Sequence, residues 1–182
     1  KAVGVRCHNT IKPHLPPHEF RAPLIISGAG ADVTYNTLLP AHVPIPFRDE
    51  LLQQSNGISA VCVYIGLKDT PAKLGVQGEN HWVYSGYDHD AALASGEIGA
   101  GYYLSFPSLK NPEAKGHTAD IITFAPYDLF QQWEGGKWKK RGDDYEALKQ
   151  RIADQLIAQV NQRLPGFADL VAYVDVSTPL SM

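Results

Sequence analysis

One segment alone in this chain sustains a long helical period, and that scarcity of helix decides what the chain can fold into. In Asp143–Leu164 the apolar residues Tyr145, Leu148, Ile152, Leu156 and Val160 recur at spacings of three and four, a single stripe along one helix face. Asp143 followed by Glu146 predicts a capping box with Asp as the cap, and Pro165-Gly166 ends the helix. The rest reads as short β-type runs: Lys1–Cys7, Ala22–Ser27, Ser59–Leu67, His81–Ser85, Tyr102–Phe106, Ile121–Phe124 and Leu170–Val176. A doubly wound parallel sheet needs a helix between nearly every pair of strands, and those helices are missing. The expectation is therefore an α+β fold: a mixed, mostly antiparallel sheet with flanking helices, the long amphipathic one near the C-terminus.

Ser59–Leu67 is the strongest strand, with Val61, Val63 and Ile65 on one face and Cys62 and Tyr64 on the other, which predicts cover on both faces. Ala22–Ser27 has the continuous apolar pattern of a strand buried on both sides, leading through Gly28-Ala29-Gly30 to a short helix near Asp32–Leu39 that Pro40 stops. Prolines 13, 16 and 17 make Asn9–Glu19 a loop, and a short helix is expected at about Arg48–Gln54. Pro44 and Pro46 mark a linker, which places a boundary after residue 42.

Composition excludes several functions. Of 182 residues, 44% are hydrophobic and 19% charged, with 16 Lys+Arg against 19 Asp+Glu, so a core forms and nucleic acid is not the expected partner. No run reaches the ~20 apolar residues of a membrane span, and no signal peptide opens the chain. Cys7 and Cys62 are too few for a disulfide framework or a cysteine zinc site. A cytoplasmic chain with at most peripheral membrane contact is expected. Lys1 at the start and Ser177–Met182 breaking off after a strand lead to the expectation of a piece of a longer polypeptide.

The motifs divide into weak chemistry and a stronger aromatic signal. Gly28-Ala29-Gly30 lacks the third glycine of a dinucleotide fingerprint, because position 33 is Val; it is either a tight turn or a secondary contact to a flat cofactor. His81, Asp88, His89 and Asp90 have the ligand types of a metal site but poor spacing, and an N-cap at Asp88 explains the same residues, so no metal is expected. His14 and His18 are separated by prolines that preclude a shared helix face. Ser27, Ser105 and Ser181 lie in no nucleophile elbow, and Cys62 sits mid-strand with no basic neighbour. The run Lys137–Arg141 is a solvated turn or a contact for an anionic partner such as a lipid headgroup. Tyr64, Trp82, Tyr84, Tyr102, Phe106 and Phe124 lie on or beside strands; such side chains line apolar ligand sites and equally fill ordinary sheet cores.

Local strings carry a resemblance. Arg21–Pro40 (RAPLIISGAGADVTYNTLLP) resembles the segment of FAD-dependent phytoene desaturase and carotenoid isomerase-like oxidoreductases that crosses back through the FAD domain. Val61–Leu67, Asn80–Asp90 (NHWVYSGYDHD), Gly101–Pro107 (GYYLSFP) and Lys139–Lys149 (KKRGDDYEALK) resemble the related all-trans-retinol 13,14-reductases, in that family's order.

The resemblance implies a residual FAD-domain segment over 1–42, a substrate-binding domain over 43–176 and a truncated return to the FAD domain over 177–182. It also implies FAD as the cofactor of the longer protein, not retained by this chain, because both Gly-rich flavin-binding segments of the family are missing. Ser27, Gly28, Ala29 and Gly30 match the strand end that passes near the flavin nucleotide, while no catalytic side chain can be transferred. The implied reaction is redox chemistry or isomerisation at the C=C bonds of a carotenoid- or retinoid-like polyene. Tyr64, Trp82, Tyr84, Tyr102, Phe106 and Phe124 become its expected substrate contacts. Expected partners are the apolar small molecule, the rest of the longer polypeptide, a membrane surface, and a second copy through apolar surface left at the former domain interface. The competing class is an apolar-ligand carrier or interaction module without chemistry.

Overall fold

The computed structural model describes residues 2–53, 58–137 and 139–181. The chain divides into two compact units, Lys1–Ser55 and Asn56–Met182.

In the first unit, β1 (Gly4–Cys7) and β2 (His18–Arg21) form an antiparallel hairpin around the proline-rich loop. A side chain at position 4 would run into the Phe20 carbonyl oxygen, so this pairing needs glycine. Glu19 accepts from Arg6 at 2.8 Å and from Arg21 at 3.3 Å, and these two guanidinium groups hold its carboxyl below the usual range. A π-helical turn at Val33–Leu38 and α1 (Arg48–Gln53) complete the unit; Gln54, the last residue of the expected helix, lies outside the described residues. The expected buried strand Ala22–Ser27 does not form. Leu24 is 72% exposed and Ile26 87%, and no strand pairs with them. Pro23 removes a ladder donor, and an apolar run reports only a tendency to be covered, not the presence of a covering layer.

The second unit is built on a five-stranded sheet of order β4-β5-β6-β3-β7. Its elements are β3 (Ile58–Leu67), a 3₁₀ turn at Pro71–Leu74, β4 (His81–Tyr84), α2 (His89–Ala94), β5 (Gly101–Ser105), α3 (Pro107–Lys110), β6 (His117–Pro126), α4 (Asp143–Arg163), α5 (Phe167–Leu170) and β7 (Val171–Ser177). The fold is α+β, as the pattern of elements implied. Every described pairing is antiparallel, so the sheet is antiparallel rather than mixed. β3 is central because it pairs along its length with β6, from Ile58↔Pro126 to Leu67↔His117, and on its other side with β7.

One face of this sheet is the core. Val61, Val63 and Ile65 from β3, Leu104 from β5 and Ile121 from β6 are buried with Ile152, Leu156 and Val160 of α4 and Phe167 of α5. Burying each such side chain contributes about 1.5–3 kcal/mol. The stripe read from sequence is the stripe that packs: Tyr145, Ile152, Leu156 and Val160 are buried and Leu148 is half-buried against the cluster. The start of α4 differs from expectation. Gly142, at φ 99°, is the cap, Asp143 is already helical, and no side chain caps the helix. Asp143, Asp144 and Glu146 instead place negative charge in the first turn, where the helix dipole favours it. Asp144 Oδ2 also accepts from Trp133 Nε1 at 3.0 Å.

The basic run is a turn closed by a Lys137↔Lys140 bridge, with Trp138 outside the described residues. Arg141 turns inward: Nη2 donates to the Leu180 carbonyl at 2.8 Å, and the guanidinium stands 5.4 Å from the Tyr145 ring centre. Tyr145 Oη and Thr178 Oγ1 share a buried hydrogen bond of 2.6 Å, which fastens the chain after β7 to α4. Among the described residues no helix is long and apolar enough to cross a membrane.

Candidate functional site

Antiparallel register sorts side chains by face, because directly paired residues point the same way. The core face holds Val63, Ile121 and Leu104, linked by the pairs Val63↔Ile121 and Leu104↔Ile121. The opposite face carries one row through Trp82↔Tyr103, Tyr103↔Ile122 and Cys62↔Ile122, and Phe124 stands opposite Ala60 in the next row. Among the described residues no helix packs this second face in the way α4 packs the first, and α2 touches it through His89, whose ring meets Tyr84 at 4.5 Å. Trp82 is 61% exposed and Tyr64 46%, with Tyr84, Phe124 and Tyr173 also open. The expected cover on both faces of β3 is thus corrected in part: its Val61-Val63-Ile65 face is closed, while on the other face Cys62 is buried and Tyr64 is open.

On this open face lies a groove of about 500 Å³, lined by Asn80, Trp82, Tyr84, Gly101, Tyr102, Tyr103, Ile122, Thr123 and Phe124. Its wall is aromatic. The Trp82 and Tyr84 rings lie nearly parallel, 10° apart with centres at 6.5 Å, and Trp82 meets Tyr103 at 4.9 Å. Gly101 makes room for Tyr84, since a Cβ there would stand 3.1 Å from Tyr84 Cδ1 and 3.2 Å from the Val83 carbonyl oxygen. Thr123 Oγ1 donates to the Gly101 carbonyl at 2.7 Å and accepts from Gly99 N at 3.2 Å, which fixes the strand entry beneath the ring.

The six nominated aromatic residues therefore separate. Trp82, Tyr84 and Phe124 line the groove, and Tyr64 lies on the same open face beyond its lining. Phe106 is fully buried between His81 and Phe167, in the core. Tyr102 also borders the groove, but it is buried, on the strand face it shares with Val83 and Thr123, and burial raises its phenol pKa. Asn80, Tyr103 and Ile122 line the groove and were not nominated. Alternation along β5 separates 102 from 103 but does not say which of them faces the helices.

Ser27, Gly28, Ala29 and Gly30 lie in the first unit, exposed. A Cβ at Gly28 or Gly30 would meet nothing within 4 Å, so the packing of this chain does not itself demand glycine at either position, although Gly30 has φ 82°. Ser27 Oγ is engaged with Thr34 Oγ1 at 2.6 Å. At the other motif, Asp88 Oδ1 accepts from Ala91 N at 2.9 Å and caps α2. Among the described residues no group of three or more His, Cys, Asp or Glu side chains is placed to hold a metal ion.

The second unit is thus a helix-backed antiparallel sheet with an aromatic groove on its open face. Similarity to known proteins is specific. Over 197 residues the chain is 30% identical to an all-trans-retinol 13,14-reductase of Danio rerio, covering all of this chain and 32% of the relative. The Rattus norvegicus protein of the same name is 26% identical over 99% of the chain. A protein named inactive all-trans-retinol 13,14-reductase, from Danio rerio, is 29% identical over 90% of it. The family resemblance carried by the local strings is borne out along the whole chain. The chain spans about a third of the length of these curated relatives. No family model matches it, and neither does any solved structure.

Proposed function

We propose that this chain is the substrate-side portion of an oxidoreductase acting on C=C bonds of a retinoid-like polyene. The observation that carries the reading is the aromatic groove on the open sheet face, in a chain similar throughout to retinol reductases. Trp82, Tyr84, Tyr103 and Phe124 offer flat apolar surface to a conjugated chain, and Ile122 floors the groove. Water is excluded by the ligand itself, because binding covers the Trp82, Tyr84 and Phe124 rings, which are exposed in the free chain.

The redox group we propose is FAD. Ser27, Gly28, Ala29 and Gly30, exposed in the first unit, would be a secondary contact to it, and the flavin would otherwise be held by sequence beyond these 182 residues. The test is to purify the longer polypeptide with the flanking sequence its relatives possess. Flavin absorbance in the purified protein and loss of a polyene's conjugated absorbance under reducing conditions support the proposal. A colourless protein that leaves the polyene intact contradicts it.

A second reading is favoured by the similarity to a relative named inactive. In it the groove binds an apolar molecule without transforming it. Polyene binding without turnover in the flavin-loaded longer protein is its signature.

A further inference from the structure

The connection between β4 and β5, residues 85–100, is no simple hairpin turn. It carries α2, and it leaves and re-enters the sheet at Tyr84 and Gly101, which both line the groove. Its neck is fastened. Ser85 N donates to the Ala100 carbonyl at 2.9 Å, Gln155 Nε2 of α4 donates to the Ile98 carbonyl at 2.8 Å, and Ile98 packs against the core. Gly99, at φ 86°, leaves no room for a side chain, because a Cβ there would stand 3.1 Å from the Gln155 and Gln159 amides.

Beyond this neck the segment is open to water. Residues 85–91 are all exposed, and Tyr87 is completely so. The tip is nonetheless held together from within: Asp88 caps α2, and Ser95 N donates to the Ala91 carbonyl at 3.0 Å. It meets the sheet at the groove, where the His89 ring stands edge-on to Tyr84.

Glycines flank the tip on both sides. Gly96, at φ 64°, sits in the left-handed region that glycine enters without strain. Gly86 has no positive φ, and a Cβ there would meet nothing within 4 Å. The observed conformation therefore does not call for glycine at 86, and what glycine adds there is backbone freedom. An internally bonded helical tip between two glycines, on a fixed neck, has the build of a hinged segment. Tyr87 gives that hinge an apolar reason to close, since its ring is left in water beside a groove of exposed rings.

We infer that residues 86–96 form a lid that swings on Gly86 and Gly96 and closes over an apolar ligand in the groove. The strands cover one side of such a ligand and leave its outer side in water. Closure covers that outer side, with Tyr87 as the ring laid against it. The inference rests on the proposed apolar-ligand groove and adds to it the segment that completes the enclosure and one further contact residue.

The test combines stopped-flow mixing of the chain with an all-trans conjugated polyene alcohol, read on polyene emission, and hydrogen exchange with and without the polyene. Binding followed by closure predicts an observed rate that levels off as polyene concentration rises. Saturating polyene should slow amide exchange across residues 87–95 by about tenfold or more. Tyr87→Ala should speed release about tenfold, the scale of uncovering one ring, with the urea midpoint unchanged. Gly86→Ala should lower the plateau rate about threefold by stiffening the hinge, again with the midpoint unchanged. A rate that stays linear in concentration, unaltered exchange at 87–95, or release within about twofold of wild type in Tyr87→Ala each overturns the lid and leaves the groove standing. Absence of saturable binding by the wild-type chain overturns the groove, and the lid with it.

Discussion

Trp82 and Phe106 look alike as candidates in the sequence, two aromatic residues on strand-like runs, and the structure assigns them opposite consequences. Trp82 is 61% exposed on the open face, whereas Phe106 is fully buried against Phe167. A tryptophan presents roughly 250 Å², so a ligand covering that exposed 61% would bury about 150 Å². At ~25 cal/mol per Å² this sets a ceiling of about 4 kcal/mol, of which ordering costs leave about a third to a half in measured affinity. Trp82→Ala should therefore weaken polyene binding about tenfold or somewhat more, and lower stability by only about 0.5–1.5 kcal/mol through the lost Trp82–Tyr103 contact. Phe106→Ala should cost about 3–5 kcal/mol, enough to unfold much of a marginal domain. Urea denaturation measures the stabilities, and titration of a fluorescent polyene, read on the probe rather than on tryptophan, measures the affinities. A Trp82→Ala chain that binds within twofold of wild type would refute the groove assignment. A Phe106→Ala chain of wild-type stability would refute the division of faces.

Other expectations follow from single contacts. Gly101→Ala places a Cβ 3.2 Å from the immovable Val83 carbonyl oxygen and 3.1 Å from Tyr84, so it should displace the Tyr84 ring and weaken polyene binding more than it lowers the denaturation midpoint. Tyr145→Phe removes the buried 2.6 Å hydrogen bond to Thr178 and should cost about 1 kcal/mol in urea unfolding; a cost near zero would mean the bond contributes nothing net. The Asp120 carboxyl has its pKa raised by burial, so its ionised form is disfavoured in the folded chain. That relative stability is complete below the ordinary aspartate value of 3.8 and is lost as pH rises through the folded-state pKa. Asp120→Asn should accordingly raise the thermal midpoint at neutral pH, with the gain vanishing below the ordinary value. A neutral-pH midpoint at or below wild type would contradict this.

Much of the architecture was legible in the sequence because it depends on periodicity. The α4 stripe and the β3 alternation are local patterns with strong burial behind them, and Leu156, Val160, Val61 and Val63 pack where their spacing puts them. What the sequence did not disclose depends on partners. Ala22–Ser27 reads as a buried strand, but burial needs a neighbour, and Leu24 and Ile26 have none in their unit. Tyr64 alternates correctly with Val63, yet its face is open because all the long-helix packing falls on the other side. The cap of α4 fell to Gly142 because a positive φ there sets the helix entry, which Asp143 would adopt only under strain. The groove itself was half legible. Trp82, Tyr84, Tyr103 and Phe124 were visible as aromatic strand residues, while Asn80 and Ile122 emerge only when register aligns three strands.

The central claim is that the open face of the β4–β5–β6 sheet is where an apolar polyene lies. Amide and side-chain chemical-shift mapping of the ¹⁵N,¹³C-labelled chain during titration with an all-trans conjugated polyene alcohol tests it directly. The account predicts saturable shifts concentrated at Trp82, Tyr84, Tyr103, Ile122 and Phe124, with the core residues Leu156 and Val160 unmoved. Saturable shifts centred elsewhere, or none at all, would contradict it.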